Sequence, residues 1–207
     1  MAGILTTTMS TTLLAVGLAG GAAQIGLTGW AAIDGSRRPW PPDQISGQFG
    51  LYWLLVMAMA GSFFGLIGTT AGSLYPVGIV SVAGGGAFLL GAALNVLTAD
   101  EFDGPEEILG LEWRHHASGP FQFSRNPEVL GHVGAVAGLA VATGSWQAMV
   151  VAGAIVGWFT LKPLAEEPVL ADRYGEQYER YRTQVNRYVD WTGLSGAFGS
   201  CQNDCPE

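Results

Sequence analysis

Residues 119–168 read "GPFQFSRNPEVLGHVGAVAGLAVATGSWQAMVVAGAIVGWFTLKPLAEEP". Two apolar runs, Val129–Thr143 and Trp146–Leu161, are separated only by a Gly-Ser pair, and polar residues bracket them on both sides. At 15 and 16 residues, each would be about 24 Å long as a helix, against a hydrocarbon core of about 30 Å. They read as a short helical hairpin, tilted or re-entrant in a membrane, whose two ends return to one face. That parity brings Arg125 at its entrance and Glu166–Glu167 at its exit to the same side.

Upstream, Thr11–Ile33, Phe49–Thr69 and Tyr75–Leu97 are each long enough to cross a bilayer, which takes about 20 apolar residues. The first lacks a basic n-region and is longer than a signal-peptide core, so it reads as a retained helix. "RRPWPPDQ" (37–44) and "TTAGS" (69–73) break the chain between these runs. The composition agrees: 49% hydrophobic, only 13% charged, and 31 glycines that fall inside the apolar runs. Small-residue spacings at Gly17/Gly21, Gly61/Gly65 and Gly153/Gly157 would let helices approach closely. The expected fold is therefore all-α, a polytopic membrane helix bundle of about five transmembrane helices, the last two a short hairpin, plus a C-terminal interfacial amphipathic helix. It forms one domain over 1–198, with a disordered tail at 199–207.

Charge sets the expected orientation. With the N-terminus outside, three spans and a hairpin put all nine basic residues on the cytoplasmic side: Arg37, Arg38, Arg114, Arg125, Lys162, Arg173, Arg180, Arg182 and Arg187. The opposite arrangement puts none there. A net charge of −8 argues against nucleic-acid binding, which needs a basic face. Cys201 and Cys205 are too few for a zinc site and misplaced for a prenylation box. Three histidines are too few for a di-iron hydroxylase, and "DEFD" (100–103) is a single acidic cluster of the kind found in solvated loops. No metal is expected.

Three polar elements should meet at the cytoplasmic end. Asn126, held extended by the following proline, is placed as N-cap of a helix opened by Pro127, with Arg125 beside it. Such an N-terminus suits an anionic ligand group, though an ordinary capped helix with a snorkelling arginine would look the same. Glu166 and Glu167 are expected to close the last apolar helix, which Pro168 then breaks. Carboxylates at a helix C-terminus oppose the macrodipole and ask for cationic partners: a ligand, Lys162 one turn back, or nearby arginines. From Leu170 to Tyr188, residues 170, 174, 178, 181, 185 and 188 form an apolar-aromatic stripe beside Arg173, Arg180 and Arg187. This predicts an amphipathic helix along the inner surface.

Taken together, "GPFQFSRNPEVLG", the hairpin and "AEEPVLADRYGEQYERYRTQVNRYV" resemble the C-terminal core of the isoprenylcysteine carboxyl methyltransferase and phospholipid methyltransferase superfamily. The shared pattern runs Gly-Pro-aromatic, Arg-Asn-Pro with a downstream glycine, Glu-Glu, Leu, Tyr-Gly, spaced tyrosines and a final Arg-aromatic, in order across a core at 119–188. The resemblance implies an integral membrane enzyme that uses S-adenosyl-L-methionine to methylate a membrane lipid or lipidated substrate at the cytoplasmic face. It assigns Gly119, Pro120, Arg125, Asn126, Pro127, Gly131, Glu166 and Glu167 to the cofactor pocket. Arg187 and Arg173 are candidates to hold an acidic substrate group. His132, with His115, His116 and Glu128, is a candidate base. "AGGGA" (83–87) is similar to a Gly-x-Gly near the cofactor in phospholipid methyltransferases. Two departures bear on the substrate: Asn126 stands where carboxyl methyltransferases have histidine, and Glu128–Val129 where an aromatic is common. The alternatives are an NADPH-dependent membrane reductase of the steroid-reductase type and a non-catalytic membrane protein retaining the fold.

Overall fold

In hydrocarbon no water satisfies backbone N–H and C=O groups, so long apolar runs must close their hydrogen bonds within helices. The computed structural model describes residues 2–33, 40, 45–76, 78–109, 111 and 114–189. Its elements are α1 (Ala2–Ile33), α2 (Gly47–Thr70), α3 (Ile79–Ala99), a single turn α4 (Pro105–Ile108), a 3₁₀ turn (Gly119–Gln122), α5 (Pro127–Thr143), α6 (Trp146–Tyr174) and α7 (Glu176–Gln184). Helices α1, α2, α3 and α6 are long and apolar enough to cross a membrane, while α5, at 17 residues, is shorter. The fold is an all-helical polytopic bundle, with no strand among the described residues. Arg37, Arg38 and both cysteines lie outside those residues.

Three boundaries differ from the expectation. Helix α1 starts at Ala2 rather than Thr11, and within that added stretch the hydroxyls are satisfied by folding back one turn: Thr7 onto Gly3 O at 2.9 Å and Thr11 onto Thr7 O at 2.8 Å. Helix α6 does not stop after Leu161. It continues through Pro163 and Pro168 to Tyr174. A proline frees carbonyls in the turn before it, and there the Tyr188 hydroxyl donates to Thr160 O at 2.5 Å. The expected helix from Leu170 to Tyr188 is divided at Gly175, whose φ of +52° is left-handed. Leu170–Tyr174 belongs to α6, α7 follows, and the chain leaves helix at Val185. The stripe also faces inward: Tyr178 and Tyr181 are buried.

At the far end of the bundle two turns are stitched together. Gly72 N donates to Thr143 O (2.8 Å), Leu74 N to Gly144 O (2.9 Å), and Tyr75 OH to Val141 O (2.5 Å). Ser145 caps α6 by accepting from Ala148 N, and its hydroxyl lies 2.5 Å from Thr70 Oγ1.

The closest helix pair is α3 with α5, antiparallel and joined by glycines. A Cβ on Gly84 would lie 2.5 Å from Ala142 N and 2.7 Å from Gly138 O, and one on Gly91 would strike the α5 backbone at Ala135 and Gly131. The matched positions, 84/91 and 131/138, repeat every seven residues, the period of two helical turns. Spacing by four is used once, where Gly17 and Gly21 of α1 admit Val151 and Ala154 of α6. Gly65 admits Leu13, and Gly157 makes ordinary contact with Ile25, while Gly61 and Gly153 face open space. "AGGGA" is part of the α3–α5 contact through Gly84 and Ala87, while Gly85 and Gly86 face open space. Gly84 meets residues 138–142, some 17–23 Å along α5 from Pro127.

Replacing Gly91 by leucine forces the α3 and α5 backbones apart. It is expected to destabilise the bundle by about 1–3 kcal/mol or more, whereas leucine at Gly86, which faces open space, should be tolerated. Thermal unfolding of the two variants in detergent checks this.

Candidate functional site

The end of the bundle where α3 and α6 finish and α2 and α5 begin collects the polar residues. Asn126, before the Pro127 that opens α5, has φ −137° and ψ 60°, non-helical but short of the extended geometry expected ahead of a proline. Asn126 holds the N-cap position but does not cap with its side chain. Its amide instead donates to Arg187 O at 3.0 Å and reaches Glu167 Oε1 at 3.5 Å. Arg125 N donates to Asn186 O (3.0 Å), and Ser124 Oγ donates to Arg187 O (3.3 Å) while accepting from Asn126 N (3.1 Å). Residues 185–188 are thus strapped along the entrance to α5.

Glu167 is the hub of this strap. Arg187 grips it as a fork, Nε to Oε1 at 2.9 Å and Nη2 to Oε2 at 2.8 Å, and Arg125 Nη1 stands 3.3 Å from Oε2. That fork holds the Arg187 pKa above its ordinary value. Glu166 belongs to a second cluster, because successive helical residues point about 100° apart. Its Oε1 accepts from the Trp40 indole N–H and lies 3.3 Å from Lys162 Nζ, which also bonds Glu128 Oε1 at 2.9 Å. Lys162 Nζ sits 4.9 Å from the centroid of the Trp40 ring, which stacks on Tyr52 at 4.8 Å. The expectation that the two glutamates close the last apolar helix is corrected. They lie inside α6, and their cationic partners are protein side chains.

Between these clusters lies a half-open pocket with a cavity volume of about 90 Å³. Phe102 and Phe121 give it apolar walls; Arg125, Glu128, Lys162 and Glu166 give it charge. Two nitrogens of Arg125, Nε and Nη1, are buried without a hydrogen-bond partner, and Nη1 has only the ion pair to Glu167. His115 and His116 also line the pocket. His116 Nε2 pairs with the Glu107 carboxylate. His115 packs among Tyr174, Tyr178 and Tyr181 at 4.8–5.8 Å between ring centroids. Burial first, and the neighbouring His116 second, lower the His115 pKa. Burial pushes the Tyr178 pKa up to about 12, and the Tyr181 hydroxyl donates to Phe121 O at 2.7 Å.

Of the residues singled out from sequence, Arg125, Asn126 and Glu166 line the pocket, and Glu167 and Arg187 stand behind its Arg125 wall. Pro127 is buried at the start of α5. Gly119, at φ +52°, leaves room for the Glu101 carboxylate, and Pro120 is buried beside it. Gly131 is taken up by the contact with Asn95 and Gly91 of α3. His132 stacks on Phe159 at 4.3 Å, with Nδ1 2.7 Å from Glu128 O, and does not line the pocket. Arg173 lies in the last turn of α6, also away from the lining. Within "DEFD", Asp103 pairs with Arg114, and Glu101 accepts from the Ser118 hydroxyl. Sequence reasoning missed Trp40 altogether. It weighed Lys162 as a partner of Glu166, and their i, i+4 spacing was the available signal.

Residues 79–177 match the family model described as phospholipid methyltransferase, consistent with the integral membrane methyltransferase superfamily that the motifs resemble. No curated protein and no solved structure matches the chain. The matched segment holds Arg125, Asn126, Lys162 and the glutamate pair, while Trp40, Tyr178, Tyr181 and Arg187 lie outside it.

Glu167 and Arg187 should be energetically coupled. A double-mutant cycle with Glu167→Gln and Arg187→Gln, read by chemical unfolding in detergent, is expected to return a coupling of about 1–3 kcal/mol. Glu167→Gln alone should destabilise more than Glu166→Gln, because it takes the carboxylate from two guanidinium groups, whereas Lys162 keeps Glu128.

Proposed function

We propose that this chain transfers a methyl group from S-adenosylmethionine to a lipid-borne acceptor at the end of the bundle where the pocket opens. The concentration of arginine at that end makes it the cytoplasmic face. The observation that carries this reading is Arg125, a guanidinium on the pocket wall whose buried Nε has no hydrogen-bond partner and whose Nη1 has only the ion pair to Glu167. Buried donors left unmade cost free energy, so such a site is built for an acceptor that arrives with a ligand.

The donor set fits S-adenosylmethionine. Arg125 suits its carboxylate, the Glu128–Lys162–Glu166 cluster suits its cationic groups, and Phe102 and Phe121 offer apolar surface to its rings. When bound, the cofactor supplies a methyl group already activated by a sulfonium. The protein then has to position the acceptor and exclude water. Glu167 and Arg187 serve as positioning residues: they hold Arg125 and close the wall behind it. Arg187 spends its fork on Glu167, so it acts through that carboxylate rather than on a substrate.

The charge of the second cluster favours an amine headgroup as acceptor. Two carboxylates share one ammonium there, leaving an excess negative charge that would repel a carboxylate acceptor and attract a cation. An ammonium must lose a proton before it can accept a methyl group. His115 lines the same pocket, and its lowered pKa keeps the imidazole neutral and able to take that proton at pH 7.

Two measurements test this reading. Purified wild type in detergent should bind S-adenosylmethionine by calorimetry, and Arg125→Ala should bind at least about tenfold more weakly, the loss of one charged hydrogen bond. In vesicles, methyl label should pass to phosphatidylethanolamine and not to a prenylcysteine. A wild type that neither binds S-adenosylmethionine nor labels any lipid would sink the reading.

A further inference from the structure

Trp40 precedes α2 and lies outside the segment that matches the methyltransferase family. It nevertheless forms a wall of the pocket, and it is 4% exposed. Its ring is fixed from two sides. Tyr52 stacks on it with planes 13° apart, and Trp53 meets it edge-on at 6.3 Å. So held, the ring has two polar contacts. Its N–H donates to Glu166 Oε1, and its face looks onto the Lys162 ammonium at 4.9 Å.

Both donors to Glu166 converge on the same oxygen. Oε1 accepts from Trp40 and faces Lys162, whereas Oε2 has no hydrogen-bond donor among the described residues. Glu128 is held likewise, through Oε1 by Lys162. Both carboxylates line the pocket, and the Glu166 side chain is 7% exposed. An anchored carboxylate with one oxygen left over is an arrangement that can receive an onium or ammonium group. The unsatisfied Arg125 in the same pocket independently points to a ligand there.

We infer that Trp40 is a positioning residue of the pocket, whose indole N–H fixes Glu166 so that its second oxygen meets the cationic group of a bound ligand. This rests on the methyltransferase reading for the ligand's identity, and the cation is either the sulfonium of the donor or the ammonium of the acceptor headgroup. The N-terminal half of the chain thereby completes a pocket whose charged lining residues lie in the family-matched segment.

Trp40→Phe keeps the stacked ring and deletes only the N–H. Trp158→Phe is the control, since Trp158 also packs on Tyr52 (6.0 Å) but its indole N–H has no hydrogen-bond partner and it does not line the pocket. Affinities for S-adenosylmethionine and for S-adenosylhomocysteine, its neutral thioether counterpart, are measured in detergent, with unfolding temperatures recorded alongside. If the cation is the sulfonium, Trp40→Phe lowers the preference for S-adenosylmethionine over S-adenosylhomocysteine by about tenfold, with the control unchanged. If the cation is the acceptor ammonium, that preference stays put and the KM for phosphatidylethanolamine rises while kcat is kept. Equal weakening of both cofactor forms, or no change in any of these values, overturns the inference. Tetramethylammonium serves as a probe free of the cofactor. Should wild type fail to bind S-adenosylmethionine yet bind tetramethylammonium in a manner that Trp40→Phe weakens, the methyltransferase reading falls and the role of Trp40 stands. If wild type binds neither, both fall.

Discussion

A carboxylate buried at the mouth of an apolar bundle has to gather cations, and Glu167 gathers two. Arg187 reaches it from the C-terminal strap and Arg125 from the entrance to α5, with Asn126 between them. Removing water makes each of these attractions stronger and makes any unpaired charge expensive. The geometry of the site follows. The strap is drawn against residues 124–126, the Arg125 backbone N–H and the Asn126 side-chain amide complete the join, and Arg125 lines the pocket with its Nε lacking a hydrogen-bond partner.

That arrangement depends on α6 remaining helical through its prolines. Had the helix ended at Pro163, Glu166 and Glu167 would not keep the angular offset of a helix. The 100° between neighbours sends Glu167 to the arginines and Glu166 to Lys162 and Trp40. Tyr188 bonds the Thr160 carbonyl in the turn before Pro163, so the strap that Glu167 recruits also steadies the helix on which Glu167 sits. On the other side, the glycine contact of α3 with α5 decides how near the two backbones come. It brings the chain after α3, including Phe102 and the His116–Glu107 pair, to the opening of α5.

The parts legible in the sequence are those set by solvent. Apolar runs longer than a bilayer is thick become helices, and a same-side hairpin brings Arg125 and the glutamates together whatever the details between. The parts that escaped are those set by distant partners. Glu167 finds Arg187 twenty positions on, Thr160 finds Tyr188 twenty-eight on, and Glu166 finds Trp40 across 126 positions. No local pattern announces such pairs. A rule that proline ends a helix holds in water, but a membrane bundle can supply the missing donor from elsewhere. The tyrosine stripe shows the same limit: its period was right for a helix, but Gly175 turns it, and Tyr178 and Tyr181 pack around His115 instead of lying in headgroups. The seven-residue glycine register was visible in principle and was obscured by the four-residue spacings around it.

The two charge clusters are of opposite sense, and this constrains what the pocket can orient. Arg125 offers unsatisfied donors at one place; Glu128 and Glu166, with a single ammonium between them, offer excess negative charge at another. A ligand bearing charge of only one sign would satisfy one cluster and leave the other uncompensated. A molecule carrying both signs is held in one direction, because reversing it sets like charges against each other at both ends. S-adenosylmethionine and a zwitterionic lipid headgroup share that property. On the methyltransferase reading proposed above, the same electrostatic pattern would orient the donor and receive the acceptor.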